Sequence, residues 1–288
     1  MSQEVLKALC QPLPPASTLS IASPLTAPRR ACVAAVLRWR RGRTDIPVTK
    51  AETVEAFFEL PWVKDDDKGE AELLFMLRAT RAGDRWSGHV AFPGGKNEAD
   101  ETDEDTVTRE VLEEIGIDLR SEDYICIGTL PSQEITSVFN KQLLMILVPF
   151  VFLQVVPDVS FALQASEVAA VQWVPISFFL SPSTVDQFMT QPLAATRSTR
   201  QKSLSPMRHM FGSVTFPSVD LPSDDPTRRF RLWGLTLGLT RDLIQRVSEG
   251  RPAWQVLAFI KHARRMPHYS HADLRWLMWI LDKVHHTR

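Results

Sequence analysis

The stretch of residues 94–117, GGKNEADETDEDTVTREVLEEIGI, carries the most structural information in this chain. Two glycines open it, acidic residues crowd its middle, and apolar residues then recur at helical spacing, at positions 107, 111, 112 and 115. This periodicity predicts a helix from about Asp105 to Ile115, and Gly116 is a residue type that commonly ends a helix. The stretch therefore predicts a glycine turn, an acidic loop and one amphipathic helix.

The acidic residues of this stretch form a local cluster of negative charge. Between Lys96 and Glu114 nine acidic residues are set against two basic ones. On a helix Glu110 lies one turn from both Glu113 and Glu114, so we expect the three carboxylates to converge on one side. Carboxylates crowded in this way repel one another unless a cation lies among them, and their oxygens suit Mg²⁺ or Mn²⁺. The alternative without a metal site is a solvated helix face with ion pairs such as Arg109 with Glu113.

Strands are predicted on both sides of this helix. Seven β-type runs occur, at residues 31–39, 71–78, 89–93, 124–130, 141–154, 169–175 and 210–217. Short apolar runs separated by turn residues are typical of a buried sheet. The longest apolar run, residues 143–153, contains Pro149 and is too short to cross a bilayer. We therefore expect a sheet with helices and no membrane-spanning segment.

The two ends of the chain differ from this middle part. Residues 1–28 contain five prolines and little periodicity, which predicts an arm on the surface, with order beginning at Ala31. Three helical runs follow the last strand, at residues 232–248, 253–265 and 273–284. Trp276 and Trp279 would dock the last helix on the core or on a second subunit, so a homodimer is one expectation. The chain divides into a proline-rich arm (1–28), a central domain (29–248) and a C-terminal helical extension (249–288).

Composition excludes several classes of protein. The chain has 33 Lys plus Arg against 34 Asp plus Glu, a net charge of −1, which excludes binding of nucleic acid by bulk positive charge. Its three cysteines, at positions 10, 32 and 126, have no metal-site spacing and cannot form a complete disulfide set. This favours a reducing compartment. We expect an intracellular location, first the cytoplasm, with mitochondria and peroxisomes as alternatives.

The acidic stretch resembles the signature of the Nudix hydrolases, G-x(5)-E-x(7)-R-E-U-x-E-E-x-G-U, where U is an aliphatic residue. Every specified position is matched, by Gly95, Glu101, Arg109, Glu110, Val111, Glu113, Glu114, Gly116 and Ile117. The resemblance implies a Nudix-type α/β/α sandwich with a central mixed sheet, whose signature box is residues 95–117. It also implies a metal-dependent enzyme that hydrolyses a nucleoside diphosphate linked to another group.

The resemblance assigns metal-binding roles to individual residues. It implies that Glu110 and Glu114 are the principal ligands of Mg²⁺ or Mn²⁺. Glu113 would be a further ligand of the metal or of its water, and the Gly94 carbonyl an additional contact. Cations in such a site neutralise the diphosphate and help to generate a hydroxide nucleophile.

Other residues would orient the helix or take part in proton transfer. The resemblance implies that Arg109 and Glu101 form an ion pair that orients the helix. The motif leaves the general base open, because members of the family differ in which carboxylate serves. Glu113 and Glu167 are the candidates in this chain, and Glu134 is a weaker one.

A second resemblance concerns residues 73–96, LLFMLRATRAGDRWSGHVAFPGGK. They resemble the upstream element of the coenzyme A diphosphatase branch, roughly LL-x-x-R-S followed by R-x-x-G-x-x-x-FPGGK. With small changes of spacing, the matching residues are Leu73, Leu74, Arg78, Arg85, Gly88, Phe92, Pro93, Gly94, Gly95 and Lys96. Ala79 and His89 depart from the residues usual in that branch, whereas residues 231–240, RLWGLTLGLT, also resemble it.

Together these resemblances imply a diphosphatase that cleaves coenzyme A or its thioesters to 4′-phosphopantetheine, or its acyl form, and adenosine 3′,5′-bisphosphate. Guanidinium groups suit phosphates, and the predicted substrate-binding residues are Arg78, Arg85, Gly94, Gly95 and Lys96. One alternative keeps the chemistry and changes the substrate to a nucleoside diphosphate sugar, a dinucleotide or an oxidised nucleoside triphosphate. A second alternative is a Nudix-fold binding module without catalysis. The expected partner is a small molecule, with neither nucleic acid nor a membrane.

Overall fold

The computed structural model describes most of the central domain and part of the N-terminus. The described residues are 2–15, 29–81, 88–136, 143–185, 187–192, 214–248 and 268–269. Several predicted features lie outside them: Arg85, the helices at 253–265 and 273–284, and Trp276 and Trp279. The C-terminal extension is described only at residues 268–269, so its helices stay predictions.

The elements follow one another as the sequence patterns predict, with some additions. In chain order they are α1 (Ser2–Leu9), β1 (Arg30–Arg40), α2 (Val54–Glu59), α3 (Pro61–Lys64), β2 (Glu70–Arg78), β3 (Val90–Ala91), β4 (Gly94–Lys96), α4 (Asp103–Ile115), β5 (Tyr124–Thr129), β6 (Gln133–Thr136), β7 (Leu143–Gln154), β8 (Val168–Pro175), α5 (Ile176–Leu180), α6 (Pro182–Val185), β9 (Met189–Pro192), β10 (Val214–Asp220), β11 (Arg231–Trp233), α7 (Gly234–Gln245), a 3₁₀ turn (Arg246–Ser248) and β12 (His268–Tyr269). The short elements β6, β9, α5 and α6 carry no clear periodicity and were not predicted.

Among the described residues, the central sheet has eight strands and is mixed. β1 pairs in parallel with β7, and antiparallel with β2 and β4. β2 also pairs with β3 and β8, and β7 with β5 and β6, all antiparallel. β1 therefore runs through the middle of the sheet. A second sheet joins β10 to β9, β11 and β12.

Helices cover both faces of the central sheet. Side chains of β1 alternate between faces, as they must in a strand. Cys32, Ala34 and Val36 are buried in a cluster with α4. Leu37 and Trp39 are buried in a second cluster, which includes residues of α1, α2, α3 and α7. The predicted α/β/α sandwich with a mixed sheet is therefore confirmed. None of the described helices has the length and apolar character that a bilayer crossing requires.

The N-terminus is ordered much earlier than the sequence predicts. Ser2–Leu9 is a helix whose Val5, Leu6 and Leu9 are buried in the main core. The expectation that order begins at Ala31 is wrong, because the prolines that suggested an arm all follow this helix. Beyond the helix the chain lies along β5, where the Thr129 N–H donates to the carbonyl of residue 14 at 2.9 Å.

The buried helix α1 gives a test of its contribution to stability. Leu6 is fully buried, and we expect Leu6→Ala to lower the free energy of unfolding by about 2–5 kcal/mol through lost burial and a residual cavity. Leu144→Ala is the matched control, because half of that side chain is exposed on β7. Urea unfolding of the three proteins makes the comparison. Equal midpoints for Leu6→Ala and wild type would contradict the docked position of α1.

Candidate active site

The glycine turn at the start of the signature lies directly against β1. Gly94 has a φ of +139°, and a Cβ built on it would lie 2.2 Å from the carbonyl oxygen of Cys32. A Cβ on Gly95 would lie 2.3 Å from the Cδ atom of Glu110. Glycine is therefore required at both positions. The turn can contact β1, and the Glu110 carboxylate occupies the space beside Gly95.

Helix α4 begins slightly earlier than predicted and ends where predicted. Thr102 caps it: its hydroxyl accepts from the Asp105 N–H at 3.0 Å, and the Asp105 carboxylate accepts from the Thr102 N–H at 3.0 Å. This reciprocal capping box satisfies two donors that the first turn leaves free. Gly116 ends the helix in the left-handed conformation, at φ +75°. Asp103, buried near the helix start, accepts from the Arg30 Nε at 2.8 Å, a contact that the sequence did not predict.

Arg109 ties the helix to the acidic loop before it. Its Nε and Nη2 atoms donate to the two carboxylate oxygens of Glu101 at 2.6 and 3.0 Å, and Nη2 also donates to the Lys96 carbonyl at 3.1 Å. These hydrogen bonds hold the pKa of Glu101 down at about 2, against partial desolvation. The structure thus brings together the pair that the resemblance implies. The Lys96 side chain itself is exposed beside this contact.

Glu114 is the buried carboxylate of the site. Its Oε2 accepts from the Gly94 N–H at 2.8 Å, and its Oε1 lies 3.8 Å from the Arg78 Nη1. Burial raises the pKa of Glu114 to about 7, with the charges of Glu110 and Glu167 adding to the rise, while Gly94 and Arg78 oppose it. Arg78 is half-buried at the end of β2. Two predicted substrate-binding residues therefore contact a predicted metal ligand directly.

Glu110 lies beside Glu114 at the edge of the buried face. Burial raises its pKa, and the charges of Glu113 and Glu167 add to the rise, whereas Arg109, which donates to Glu110 at 3.1 Å, opposes it. A buried and a half-buried carboxylate that lie close together, both with raised pKa values, are costly without a cation. Their hard oxygens suit Mg²⁺ or Mn²⁺, so the two residues fit the metal that the resemblance implies.

Glu113 is the outermost of the three carboxylates, and it shares the Arg109 Nη1 donor with Glu110. Its side chain is 60% exposed and accepts from the Arg109 Nη1 at 3.2 Å. The reason is helical rotation: each residue turns the helix by roughly 100°. The buried face is centred near Val111, so Glu114 lies well inside it and Glu113 lies outside. Among the described residues, no three His, Cys, Asp or Glu side chains form a group that could hold a metal ion.

Glu167 reaches the site from another part of the chain. It precedes β8, and its carbonyl accepts from the Ala79 N–H at 2.7 Å, next to the end of β2. Its carboxylate lies 3.0 Å from the Arg81 Nη2, and its charge raises the pKa of both Glu110 and Glu114. The signal available in the sequence was its place at the start of a strand. Glu134, the weaker alternative, is exposed on β6.

Comparisons with known proteins agree with this geometry. A family profile described as NUDIX domain matches residues 62–194, which contain the glycine turn, α4 and Glu167. An uncharacterised protein of Schizosaccharomyces pombe is 30% identical over 277 residues, covering 92% of this chain and 78% of that protein. The chain belongs to the Nudix family. It is therefore a Nudix hydrolase, and the predicted family and enzyme class are confirmed.

Other similarities of this Nudix hydrolase are more distant. A peroxisomal coenzyme A diphosphatase of Caenorhabditis elegans is 30% identical over 152 residues, covering 51% of this chain and 59% of that protein. A solved MutT/nudix family protein from Enterococcus faecalis is 15% identical, covering 90% of this chain and 74% of that chain, with a TM-score of 0.39. A solved Nudix hydrolase from M. smegmatis is 16% identical, covering 56% and 82%, with a TM-score of 0.36.

The Arg109–Glu101 pair predicts a pH-dependent contribution to stability. Folding lowers the pKa of Glu101, so the pair contributes fully above the ordinary pKa of 4.5, and its contribution declines as the pH falls toward about 2. We expect Glu101→Gln to lower the free energy of unfolding by about 1–3 kcal/mol at pH 7, and by less at pH 3. Denaturant unfolding at both pH values measures this. Glu98→Gln, in an exposed residue of the same loop, is the control; an equal loss at both pH values would contradict the assignment.

Proposed function

We propose that this Nudix hydrolase cleaves the diphosphate of coenzyme A or acyl-coenzyme A to 4′-phosphopantetheine, or its acyl form, and adenosine 3′,5′-bisphosphate. One observation carries the proposal: Arg78, from the upstream element, lies 3.8 Å from Glu114 of the signature. The upstream element that resembles the coenzyme A diphosphatase branch therefore meets the Nudix signature in one site. The 30% identity to a coenzyme A diphosphatase over 51% of this chain supports the same substrate class.

We propose Glu110 and Glu114 as the principal ligands of Mg²⁺ or Mn²⁺. Their crowded, partly desolvated carboxylates support this role. Glu113 and the Gly94 carbonyl are proposed as further contacts, Glu113 through a water because its side chain faces outward. A bound divalent cation would neutralise the diphosphate and lower the pKa of its water.

The remaining residues are proposed to bind the diphosphate and to move a proton. Arg78, Arg85 and Lys96 supply positive charge for the phosphates, since guanidinium and ammonium groups pair well with them. We assign the general base to Glu167 rather than Glu113, because the charge of Glu167 acts on both buried carboxylates whereas Glu113 is largely exposed. Glu167 would take the proton of the attacking water.

The proposed location is inside the cell. All three cysteines are free, which suits a reducing compartment. The relative from C. elegans is named peroxisomal, so the peroxisome stands beside the cytoplasm in this proposal. Expression of the full chain with an internal tag, scored against markers of both compartments, distinguishes the two.

The substrate proposal is tested with the purified protein and a panel of diphosphates. We expect Mn²⁺- or Mg²⁺-dependent release of 4′-phosphopantetheine from coenzyme A, because the cation neutralises the diphosphate. Acyl-coenzyme A, NADH, ADP-ribose and a nucleoside diphosphate sugar complete the panel, and chromatography identifies the products. Rapid cleavage of one of the other compounds with none of coenzyme A would sink the substrate claim. Inactivity on the whole panel would favour a binding module.

The metal assignment is tested with Glu114→Gln. We expect kcat to fall by roughly a hundredfold or more, since removing a ligand forfeits several kcal/mol of charge stabilisation. Calorimetric titration with Mn²⁺ should show weaker binding by the variant. In the wild type the Mn²⁺ affinity should decline below pH 7, because protons then compete for a carboxylate whose pKa is about 7. Glu104→Gln, in an exposed residue of the same helix, is the control. Wild-type rates in Glu114→Gln would refute the assignment.

A further inference from the structure

Three aromatic side chains from different parts of the chain meet beside the site; we name His89, Phe216 and Trp233 the aromatic trio. The rings of His89 and Trp233 have centroids 4.8 Å apart and planes at 79°. The rings of Phe216 and Trp233 have centroids 5.9 Å apart and planes at 58°. All three side chains are half-buried. The trio is therefore a partly exposed cluster whose central ring is the indole of Trp233.

The trio adjoins the proposed catalytic carboxylates through one arginine. The carbonyl of His89 accepts from the Arg78 N–H at 3.0 Å. The side chain of the same Arg78 ends 3.8 Å from the Glu114 carboxylate. Arg78 of β2 thus contacts His89 of the trio through its backbone and the buried Glu114 carboxylate through its side chain. A substrate whose diphosphate lay at Arg78 and Glu114 would extend one of its ends toward Trp233.

The backbone around Trp233 leaves room for a ligand. Ser218 of β10 pairs with Trp233, so the end of β11 is held in the second sheet. Gly234 follows at a φ of +63° and opens α7. Apart from its chain neighbours and the backbone of its own helix, no atom of the described residues lies within 4 Å of the place a Cβ would take. Glycine is needed there for its backbone conformation and not because of crowding. Among the described residues, the space beside Gly234 is therefore open.

The orientation of the rings fits a stacked heterocycle. Neither His89 nor Phe216 lies parallel to the indole, so neither of them uses the face-to-face arrangement that a nucleobase adopts on an aromatic side chain. We propose that Trp233, supported by His89 and Phe216, is the platform on which the adenine ring of the substrate stacks. This rests on the proposed function, since it takes the nucleotide end of the substrate to be the end at the trio. Pantetheine is an aliphatic chain and has no ring to stack there.

The experiment compares two ligands that differ by the base alone. AMP and ribose 5-phosphate carry the same phosphate, and neither contains a diphosphate to cleave. Their binding to the full chain in Mg²⁺ buffer is measured by calorimetry for wild type, Trp233→Leu and Trp233→Phe. We expect Trp233→Leu to weaken AMP binding about tenfold, the scale of one lost base–aromatic stack, and to leave ribose 5-phosphate unchanged. Trp233→Phe keeps a ring and should restore most of the AMP affinity.

A matched control separates stacking from a loss of folding. Trp173→Leu removes another half-buried indole, which lies on β8. The Arg38 Cζ atom lies 4.2 Å from the centroid of its ring. This variant should leave AMP binding unchanged. Unaltered AMP affinity in Trp233→Leu, or an equal loss for ribose 5-phosphate, would overturn the platform, and so would the absence of AMP binding by the wild type. Unaltered affinity with a lowered melting temperature would show that the trio packs against its own chain.

Kinetics with coenzyme A distinguish this proposal from the proposed function. We expect Trp233→Leu to raise KM about tenfold with little change in kcat, because the stack holds substrate and transition state alike. If the variant cleaved coenzyme A with an unchanged KM, the role of Trp233 in stacking would be contradicted and the proposed function would stand. If the wild type did not cleave coenzyme A but bound AMP in a Trp233-dependent way, the substrate assignment would be contradicted and the role of Trp233 in stacking would stand.

Discussion

The site depends on the direct contact between a glycine turn and the central strand β1. Gly94 lies against Cys32 and Val33 so closely that any side chain would overlap them. Because the turn is bare, its N–H reaches Glu114, and Glu110 occupies the space beside Gly95. The helix that carries both carboxylates is thereby held next to the strand through the middle of the sheet. A Cβ at either glycine would displace the strand or a carboxylate.

A second constraint is the crowding of like charges around this turn. Burial raises the pKa values of Glu110 and Glu114, and the charge of Glu167 adds to both. Donors from Arg109 and the Gly94 N–H offset part of the cost. Carboxylates whose pKa values are raised by burial and by neighbouring charges are enriched at functional sites. The net charge of −1 for the whole chain conceals this local excess.

The structure differs from the sequence-based predictions where a residue's position depends on what packs against it and not only on local composition or helical spacing. Residues 1–28 contain five prolines, yet a short helix ahead of them supplies Leu6 to the core. Spacing groups Glu113 with Glu110 and Glu114, and only the packing of the helix decides that Glu113 is the exposed one of the three. The helix begins at Asp103 rather than at the predicted Asp105, because Thr102 caps it, and apolar periodicity alone does not reveal a cap.

The signature box, the order of the main strands and the amphipathic helix between them are all predictable from the amino-acid sequence. These features depend on spacing along one segment, and period and turn chemistry report such local geometry directly. The folded chain adds the contacts between distant segments: Arg78 and Glu167 lie close to the signature carboxylates, and His89 packs against Trp233. Those contacts join strands distant along the chain, so they follow from the pairing order of the sheet. The pairing order depends on all the packing interactions of the chain together, so no local pattern in a single sequence predicts it.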